Sequence, residues 1–455
     1  MSTQRASGQA GTWARGAGVA TTTAMATSPV IVVAPRTRLV RIALAGCGVV
    51  GGSLVRLLQE RGDEIAAARG VRLQLARVLV RDPSRRRGLD LPSGTYTTDP
   101  ATLLAEDYDV LVEAIGGLDP AERLARETLS RGRSFVTANK ALVAAVGTEL
   151  AALAERTGAS FDFEAAVAGG VPVVRALRGS LGESGIASVR GVLNGTTNYL
   201  LERLSQGAGY VEALAEAQQK GFAEPDPSRD VDGRDAAAKV AILAWLAFGV
   251  DPARLPIRTR GLLPDPELLG AAASLFGGVP KLVGEAALLP QGVAAAVEPA
   301  VVAADSELGA VKGEHNLVVV QSRWNGAIRL AGPGAGGMPT GSALLSDVLG
   351  SAGPLRSQVT SSHPAIPAAP AAAAAHADDR ALPWIVAVRV PGGGGTGAQR
   401  ALADALWHAG VGARGGRFAR GVAAIRTEPV TWARVAHAVA SLGNGVAVLR
   451  DERSA

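Results

Sequence analysis

At 455 residues the chain has room for two to four domains with ample core, and with aromatics at only 4% that core rests on Ala, Val and Leu. A net charge of +5 and a pI near 9.7 admit an acidic or phosphorylated ligand, but the arginines are scattered rather than gathered with aromatics on one stripe, which argues against nucleic acid. The single cysteine, Cys47, excludes an internal disulfide and a cysteine-rich metal site and fits a reducing, cytoplasmic setting, and no apolar run approaches the ~20 residues of a membrane span.

Residues 1–38 contain no Asp or Glu, several Arg and many Ser, Thr, Ala and Gly. That composition suits a disordered extension, a transit segment or an upstream start. The first folded element, Leu39–Ala45, is a short apolar strand. It runs into Gly46-Cys-Gly48-Val49-Val50-Gly51 and then into a helical pattern, Ser53–Gln59. In this strand-to-helix setting G-x-G-x-x-G lets a pyrophosphate approach a helix N-terminus, so Gly46, Gly48, Val49, Val50 and Gly51 are expected to contact a dinucleotide. A second strand, Val71–Val80, ends at Arg81-Asp82-Pro83. Arg81 stands where an NAD-binding unit offers a carboxylate to the ribose 2′-OH, which favours NADP, while Asp82 keeps NAD open.

Tyr108–Ala114 reads as a buried strand ending at Ile115-Gly116, a helix follows from Pro120, and Ser134–Thr137 leads into Ala138-Asn139-Lys140. Strands alternating with helices predict an α/β fold with a parallel, doubly wound sheet, whose ligands sit at the carboxyl ends of the strands, where Gly116 and Lys140 fall. This Rossmann-type domain is assigned to 39–160, completed by 331–352.

From Ser160 the pattern changes to an α+β substrate-binding and dimerisation domain, 161–330. Phe161–Ala168 reads as a strand carrying Glu164, Val173–Leu181 as a helix, and Ala187–Leu193 as a strand ending in Asn194-Gly-Thr-Thr-Asn198. One long helical stretch, Tyr199–Lys220, then delivers the chain to an acidic loop. There Glu224, Asp226, Asp230, Asp232 and Asp235 crowd together, and Pro225, Pro227 and Gly233 keep the backbone irregular until a helix begins. Asp235 and Lys239 fall at i and i+4 on one helix face. In a cleft, burial would pull the lysine down in pKa while the aspartate pulls it up, leaving a group that exchanges protons near neutral pH; the same spacing also describes a solvated surface pair.

Further strands are expected at Val297–Val302 and Leu317–Gln321. A glycine-rich loop, 331–340, and a helix, Gly341–Leu349, return to the nucleotide domain. Residues 353–380 form a Pro/Ala-rich linker, and 381–452 read as a separate small β-α-β-β-α-β module.

Taken in order, Gly46-x-Gly48-x-x-Gly51, Thr137-Ala-Asn-Lys140, Glu164-Ala-Ala-Val-Ala-Gly-Gly-Val-Pro172, Asn194-Gly-Thr-Thr-Asn198, Gly221-x-x-Glu224-x-Asp226-Pro-x-x-Asp230-x-x-Gly-x-Asp235-x-x-x-Lys239 and Gly332-Pro-Gly-Ala-Gly-Gly-x-Pro-Thr340 resemble homoserine dehydrogenase over roughly residues 39–350. The resemblance implies reversible interconversion of L-homoserine and L-aspartate 4-semialdehyde with NAD(P), on the route to threonine, isoleucine and methionine. It implies Lys239 as proton donor and acceptor for the substrate oxygen, Asp235 orienting the reacting group, and Lys140 as a second catalytic lysine that also meets the cofactor. Glu224 would hold the substrate ammonium with Asp230 near it, Gly195 and Thr196 would line the pocket, and Gly221 and Gly336 would lie against the nicotinamide side.

The family also implies a monovalent cation, usually sodium, on Glu164 and the carbonyls of Val167, Gly169 and Val171, read here as structural support. A homodimer or homotetramer is implied, with no nucleic-acid or membrane partner. The C-terminal module resembles an ACT domain, which makes threonine an effector to test, although Val390 replaces the acidic residue usual before its first loop. Phe222 stands where the family often has tyrosine. Two rivals fit less well: aspartate-semialdehyde dehydrogenase needs a cysteine nucleophile in the catalytic domain, and a non-catalytic amino-acid sensor has no need of both Lys140 and Lys239.

Overall fold

The computed structural model describes residues 37–352, 380–390, 395–442 and 445–453; the expectations for 1–36 and 353–379 lie outside the described residues. The described residues open with β1 (Arg38–Ala45), α1 (Val49–Arg69), β2 (Val71–Leu79), β3 (Tyr96–Thr97), α2 (Pro100–Ala105), β4 (Val110–Glu113), α3 (Ala121–Ser130), β5 (Ser134–Thr137), α4 (Lys140–Thr157) and β6 (Phe161–Asp162), strands and helices that alternate except at the β2–β3 pair. The six strands are parallel in the order β3-β2-β1-β4-β5-β6. The order reverses between β1 and β4, which is where such sheets open a crevice for a dinucleotide. Both faces are covered, so the central strands β4 and β5 are buried at every position rather than at alternate ones; Val110–Glu113 and Ser134–Thr137 are buried throughout.

The next stretch supplies helices α5 (Val173–Arg178), α6 (Gly195–Ser205), α7 (Tyr210–Gln219), α8 (Ser228–Val231), α9 (Arg234–Phe248) and α10 (Pro266–Leu275), interleaved with β7 (Ile186–Val192), β8 (Ile257–Thr259), β9 (Val279–Leu289), β10 (Gly292–Val302), β11 (His315–Ser322) and β12 (Gly326–Pro333). In the order β12-β11-β7-β9-β10 each strand is antiparallel to its neighbours, and β8 pairs with β10 in parallel. Helix α9 is nearly all buried, its apolar run from Val240 to Phe248 packing on β9 and β10.

Helix α11 (Gly337–Ala352) then returns to the first sheet. Gly341 allows close packing on α1: a Cβ there would lie 3.0 Å from Leu54 N, and Leu344 and Val348 share one buried cluster with Leu54 and Val55.

Three local expectations change. The strand expected over Phe161–Ala168 stops at Asp162, and Glu164–Ala166 is a single 3-10 turn. Its cause is the Glu164 carboxylate, which accepts the Val174 and Arg175 amides at 2.8 Å each and so caps α5. The long helix expected over Tyr199–Lys220 is two, α6 and α7, separated where Gly207 takes φ 95°. The glycine-rich loop of 331–340 is shorter than expected, because β12 runs to Pro333 and α11 starts at Gly337.

The C-terminal stretch folds as β13 (Trp384–Arg389), a helix (Gly395–His408), β14 (Ala413–Ala419), β15 (Val422–Thr427), a helix (Trp432–Ala440) and β16 (Val446–Asp451), with strand order β16-β13-β15-β14. It has its own core around Trp384, Leu402, Leu406 and Val435. Its sheet nevertheless continues the second sheet, because β16 pairs in parallel with β10 at Ala300 and Val301. A buried ionic cluster fastens the seam: Glu298, with no exposed surface, meets Arg258 at 3.2 Å, Arg260 at 3.1 Å and Arg450 at 3.3 Å, and Arg260 stacks 4.1 Å from the Trp432 ring.

Candidate active site

The glycines of the first loop divide their work. Gly46 sits at φ +95°, and a Cβ there would lie 2.5 Å from the Ala114 carbonyl; a Cβ on Gly51 would lie 2.0 Å from the Gly46 carbonyl. Both positions therefore require glycine to close the loop against β4 and bring α1 up to it. Gly48 differs, since a Cβ there meets nothing within 4 Å. It faces open space beside the exposed Val49 and half-buried Val50, and no side chain caps the first turn of α1, so its amides point at a ready anion site.

Arg81 is exposed past the end of β2, and Asp82 is tied into its own turn by Ser84, whose hydroxyl and amide hold the carboxyl below its usual range. The cation that reaches the loop is Arg87, with Nε 3.2 Å from the Cys47 carbonyl and its guanidinium 5.0 Å from the Tyr96 ring. Burial pushes the Cys47 thiol up, against the pull of Arg87, as suits a packing residue.

At the carboxyl ends of β4 and β5 a buried acid organises the turn. Glu113 accepts the Ile115 amide at 2.7 Å, the Gly116 amide at 2.9 Å and the Thr137 hydroxyl at 2.5 Å. Gly116 is exposed at φ +82°. Asn139 caps α4 by accepting the Leu142 amide at 3.1 Å, while its Nδ2 donates to the Gly117 carbonyl at 2.6 Å. Lys140 is thereby set at the first position of α4, over the crevice.

Facing it, α9 opens with Asp235 and places Lys239 one turn later. Asp235 Oδ1 is 2.6 Å from Lys140 Nζ, and its Oδ2 is 2.9 Å from Lys239 Nζ. Lys239 also donates to the Leu193 carbonyl at 2.6 Å. Asn194, the cap of α6, completes the cluster: its Oδ1 accepts the Thr197 amide and its Nδ2 donates to Asp235 at 2.9 Å and Asp230 at 2.7 Å. Asp235 is 6% and Lys239 7% exposed, which rules out the solvated surface pair.

The electrostatics follow from that burial. Desolvation works to raise the Asp235 carboxyl, but the ammonium groups of Lys239 and Lys140 and the Asn194 amide overturn it and hold it well below the usual range. Desolvation pulls Lys239 down from its ordinary value; Asp235 resists, and Lys140 pushes the same way as burial. Burial also raises Asp230, against its hydrogen bond from Asn194. A lysine depressed by burial and held by an ionised aspartate has the chemistry to take up and give back a proton.

The family model described as homoserine dehydrogenase matches residues 172–349, and that described as the homoserine dehydrogenase NAD binding domain matches 46–164. A homoserine dehydrogenase of Mycobacterium tuberculosis (strain ATCC 25618 / H37Rv) is 41% identical over 335 residues, spanning 70% of this chain and 75% of that protein. The chain belongs to the homoserine dehydrogenase family.

Likeness within the homoserine dehydrogenase family extends to three dimensions. The crystal structure of a homoserine dehydrogenase from Thiobacillus denitrificans matches with a TM-score of 0.79 at 29% identity, covering 91% of this chain and 99% of that one. A hyperthermophilic archaeal homoserine dehydrogenase in complex with NADPH matches with a TM-score of 0.59 at 26% identity, over 69% of this chain and 97% of that one. As a homoserine dehydrogenase family member, the chain is an NAD(P)-dependent oxidoreductase.

The remaining expected residues spread around this centre. Thr196 donates to the Phe222 carbonyl at 2.5 Å, tying α6 to the acidic loop, and a Cβ on Gly195 would lie 2.5 Å from the Glu314 carbonyl. Gly221 and Gly336 are exposed at φ +75° and +110°. Glu224 is exposed on the turn before α8, and among the described residues its carboxylate makes no ion pair. Glu164, Val167, Gly169 and Val171 are all buried on the turn before α5.

Reasoning from sequence missed Glu113, Asn139, Asn194 and the Leu193 carbonyl as parts of the site. Asn139 and Asn194 carried a signal, since each precedes a helical run at the position where asparagine caps.

Proposed function

We propose that the enzyme interconverts L-homoserine and L-aspartate 4-semialdehyde with Lys239 carrying the proton, and that the carrying observation is Asp235 bridging Lys140 and Lys239 at the mouth of the crevice. In the oxidation direction neutral Lys239 takes the proton of the substrate hydroxyl; in reduction its ammonium gives it back. Asp235 orients the amine and balances its charge, and Lys140 adds a positive field from the opposite wall. The nicotinamide, when bound, supplies the hydride chemistry. Asp230, next to the cluster, and Glu224, on the exposed turn, are the acids assigned to the substrate ammonium, with Gly195 and Thr196 as pocket wall.

The glycine loop fits a dinucleotide, because Gly48 leaves open the space that a side chain would fill. Arg81 and Arg87, with Asp82 tied back by Ser84, favour the 2′-phosphate of NADP over NAD. Gly116, Gly221, Gly336 and Lys140 complete the cofactor wall in this reading. A monovalent cation, sodium by preference, fits the turn before α5: burial raises the Glu164 carboxyl, so a positive charge there is favourable, and each of its oxygens accepts one amide and keeps a lone pair. Among the described residues no group of three acidic, His or Cys side chains could hold a metal, so the carbonyls of Val167, Gly169 and Val171 would supply the other ligands. The Val171 carbonyl already accepts the Val173 amide at 2.8 Å.

The reading extends to biosynthesis of threonine, methionine and isoleucine in the cytoplasm by a homodimer or homotetramer. Among the described residues no helix is long and apolar enough to cross a membrane. The β-α-β-β-α-β order of the C-terminal module supports an ACT-like role with threonine as effector. Homoserine-dependent reduction of NADP and of NAD, each with and without threonine, tests the assignment. Lys239→Met is expected to lower turnover about 10²–10⁴-fold with cofactor affinity kept; near-parental turnover would refute the role of Lys239.

A further inference from the structure

The ladder between β7 and β11 ends at Val192 opposite Leu317, so the next pair in that register is Leu193 opposite Asn316. Here a side chain makes the contact: Asn316 Nδ2 donates to the Leu193 carbonyl at 3.0 Å. This is the carbonyl that accepts Lys239 Nζ at 2.6 Å. A carbonyl oxygen has two lone pairs, and these two donors occupy both. The amide cannot be turned over, because the Leu193 oxygen only accepts and the NH₂ must face it.

Asn316 is 1% exposed, and its Oδ1 is buried without a partner. Its amide is also wedged: a Cβ on Gly334 would lie 2.1 Å from Asn316 Cγ. A tightly held polar side chain with one end unsatisfied is retained against its desolvation, and the satisfied end points at the lysine's own acceptor.

We propose that Asn316 is a positioning residue that acts on Lys239 through the Leu193 carbonyl: by taking that oxygen's second lone pair it weakens the carbonyl's hold on the ammonium. The inference rests on Lys239 as the proton carrier. The charged groups facing Lys239 are Asp235 on its own helix and Asp230 on α8, which favour the ammonium, and Lys140 on α4, which opposes it. Asn316 acts without charge, so its loss changes the hydrogen bond and leaves that field in place.

The test is kcat/KM for homoserine against pH in three variants. Asn316→Leu fills similar space with no donor, so Leu193 binds the ammonium alone, and the limb belonging to Lys239 is expected to move up by about half to one pH unit. Asn316→Val, a smaller apolar replacement suited to a strand, likewise removes the donor and is expected to move it the same way; this variant carries the test should the leucine protein fail to fold. Lys239→Met is expected to remove the limb. A folded Asn316 variant whose limb stays within about 0.2 unit of the parent overturns the role of Asn316 alone. A limb that survives in Lys239→Met overturns the reading of Lys239, and the inference falls with it.

Discussion

Replacing Asp235 with asparagine keeps the side chain's shape and deletes the charge that both lysines face. Its oxygens stand 2.9 Å from Lys239 and 2.6 Å from Lys140. A unit pair at about 4 Å in an effective dielectric of about 20 is worth about 4 kcal/mol, and stripping one partner from a buried pair costs about 3–5 kcal/mol. The variant has an escape: Lys239, already depressed by burial and by Lys140, can give up its proton. At about 1.4 kcal/mol per pH unit, losing about 3–4 kcal/mol of attraction moves the lysine's titration down by roughly two to three units.

The assay is kcat/KM in both directions across about pH 5–10. The rising limb for oxidation and the falling limb for reduction report the same amine, so both are expected to shift to lower pH together, and the oxidation plateau is expected to fall about tenfold or more because a weaker base does the work. A second readout is acid stability. The folded Asp235 carboxyl lies below its unfolded value of about 4, so its contribution is present above that pH and lost as the pH falls toward the folded value; the asparagine variant lacks this dependence. Limbs that stay in place, or move up, would refute the idea that Asp235 sustains the charge on Lys239.

Two glycine variants should separate folding from binding: Gly51→Ala drives a Cβ into the Gly46 carbonyl and is expected to lower the melting temperature, whereas Gly48→Ala meets no protein atom and should keep it while weakening cofactor binding about tenfold or more. Equal melting losses in the two would contradict this. Glu298→Gln leaves Arg258, Arg260 and Arg450 facing one another in a buried seam and is expected to cost about 3–5 kcal/mol in denaturant unfolding; a loss under about 1 kcal/mol would show the cluster to be unimportant.

Lys281, buried against Asn198 and the Val311 carbonyl, is pushed down to about 8 by its burial, with Lys312 acting the same way. Between that value and the unfolded value of about 10.4 the unfolded chain binds more protons. Stability should therefore rise with pH by up to about 3 kcal/mol relative to Lys281→Met, and a difference that stays flat with pH would count against it.

Much of this site was legible along the chain because its parts are local. G-x-G-x-x-G between a strand and a helix, and an aspartate four residues before a lysine at a helix start, are short patterns whose geometry follows from backbone periodicity alone. Other features depended on residues far apart. Whether Asp235 and Lys239 were a surface pair or a buried couple was decided by Lys140 arriving from the start of α4 and by Asn194 from the cap of α6. Glu164 read as part of a strand because its own neighbours are strand-like; amides 10 and 11 residues later made it a cap instead. The end module read as separate because its pattern is self-contained, whereas the seam to β10 needs Arg258, Arg260, Glu298 and Arg450 brought together from across the fold. Sequence determines which chemistry each segment can offer; only tertiary packing decides which groups lose water and face one another, and desolvation with proximity is what moves Lys239 and Asp235 away from their ordinary protonation equilibria.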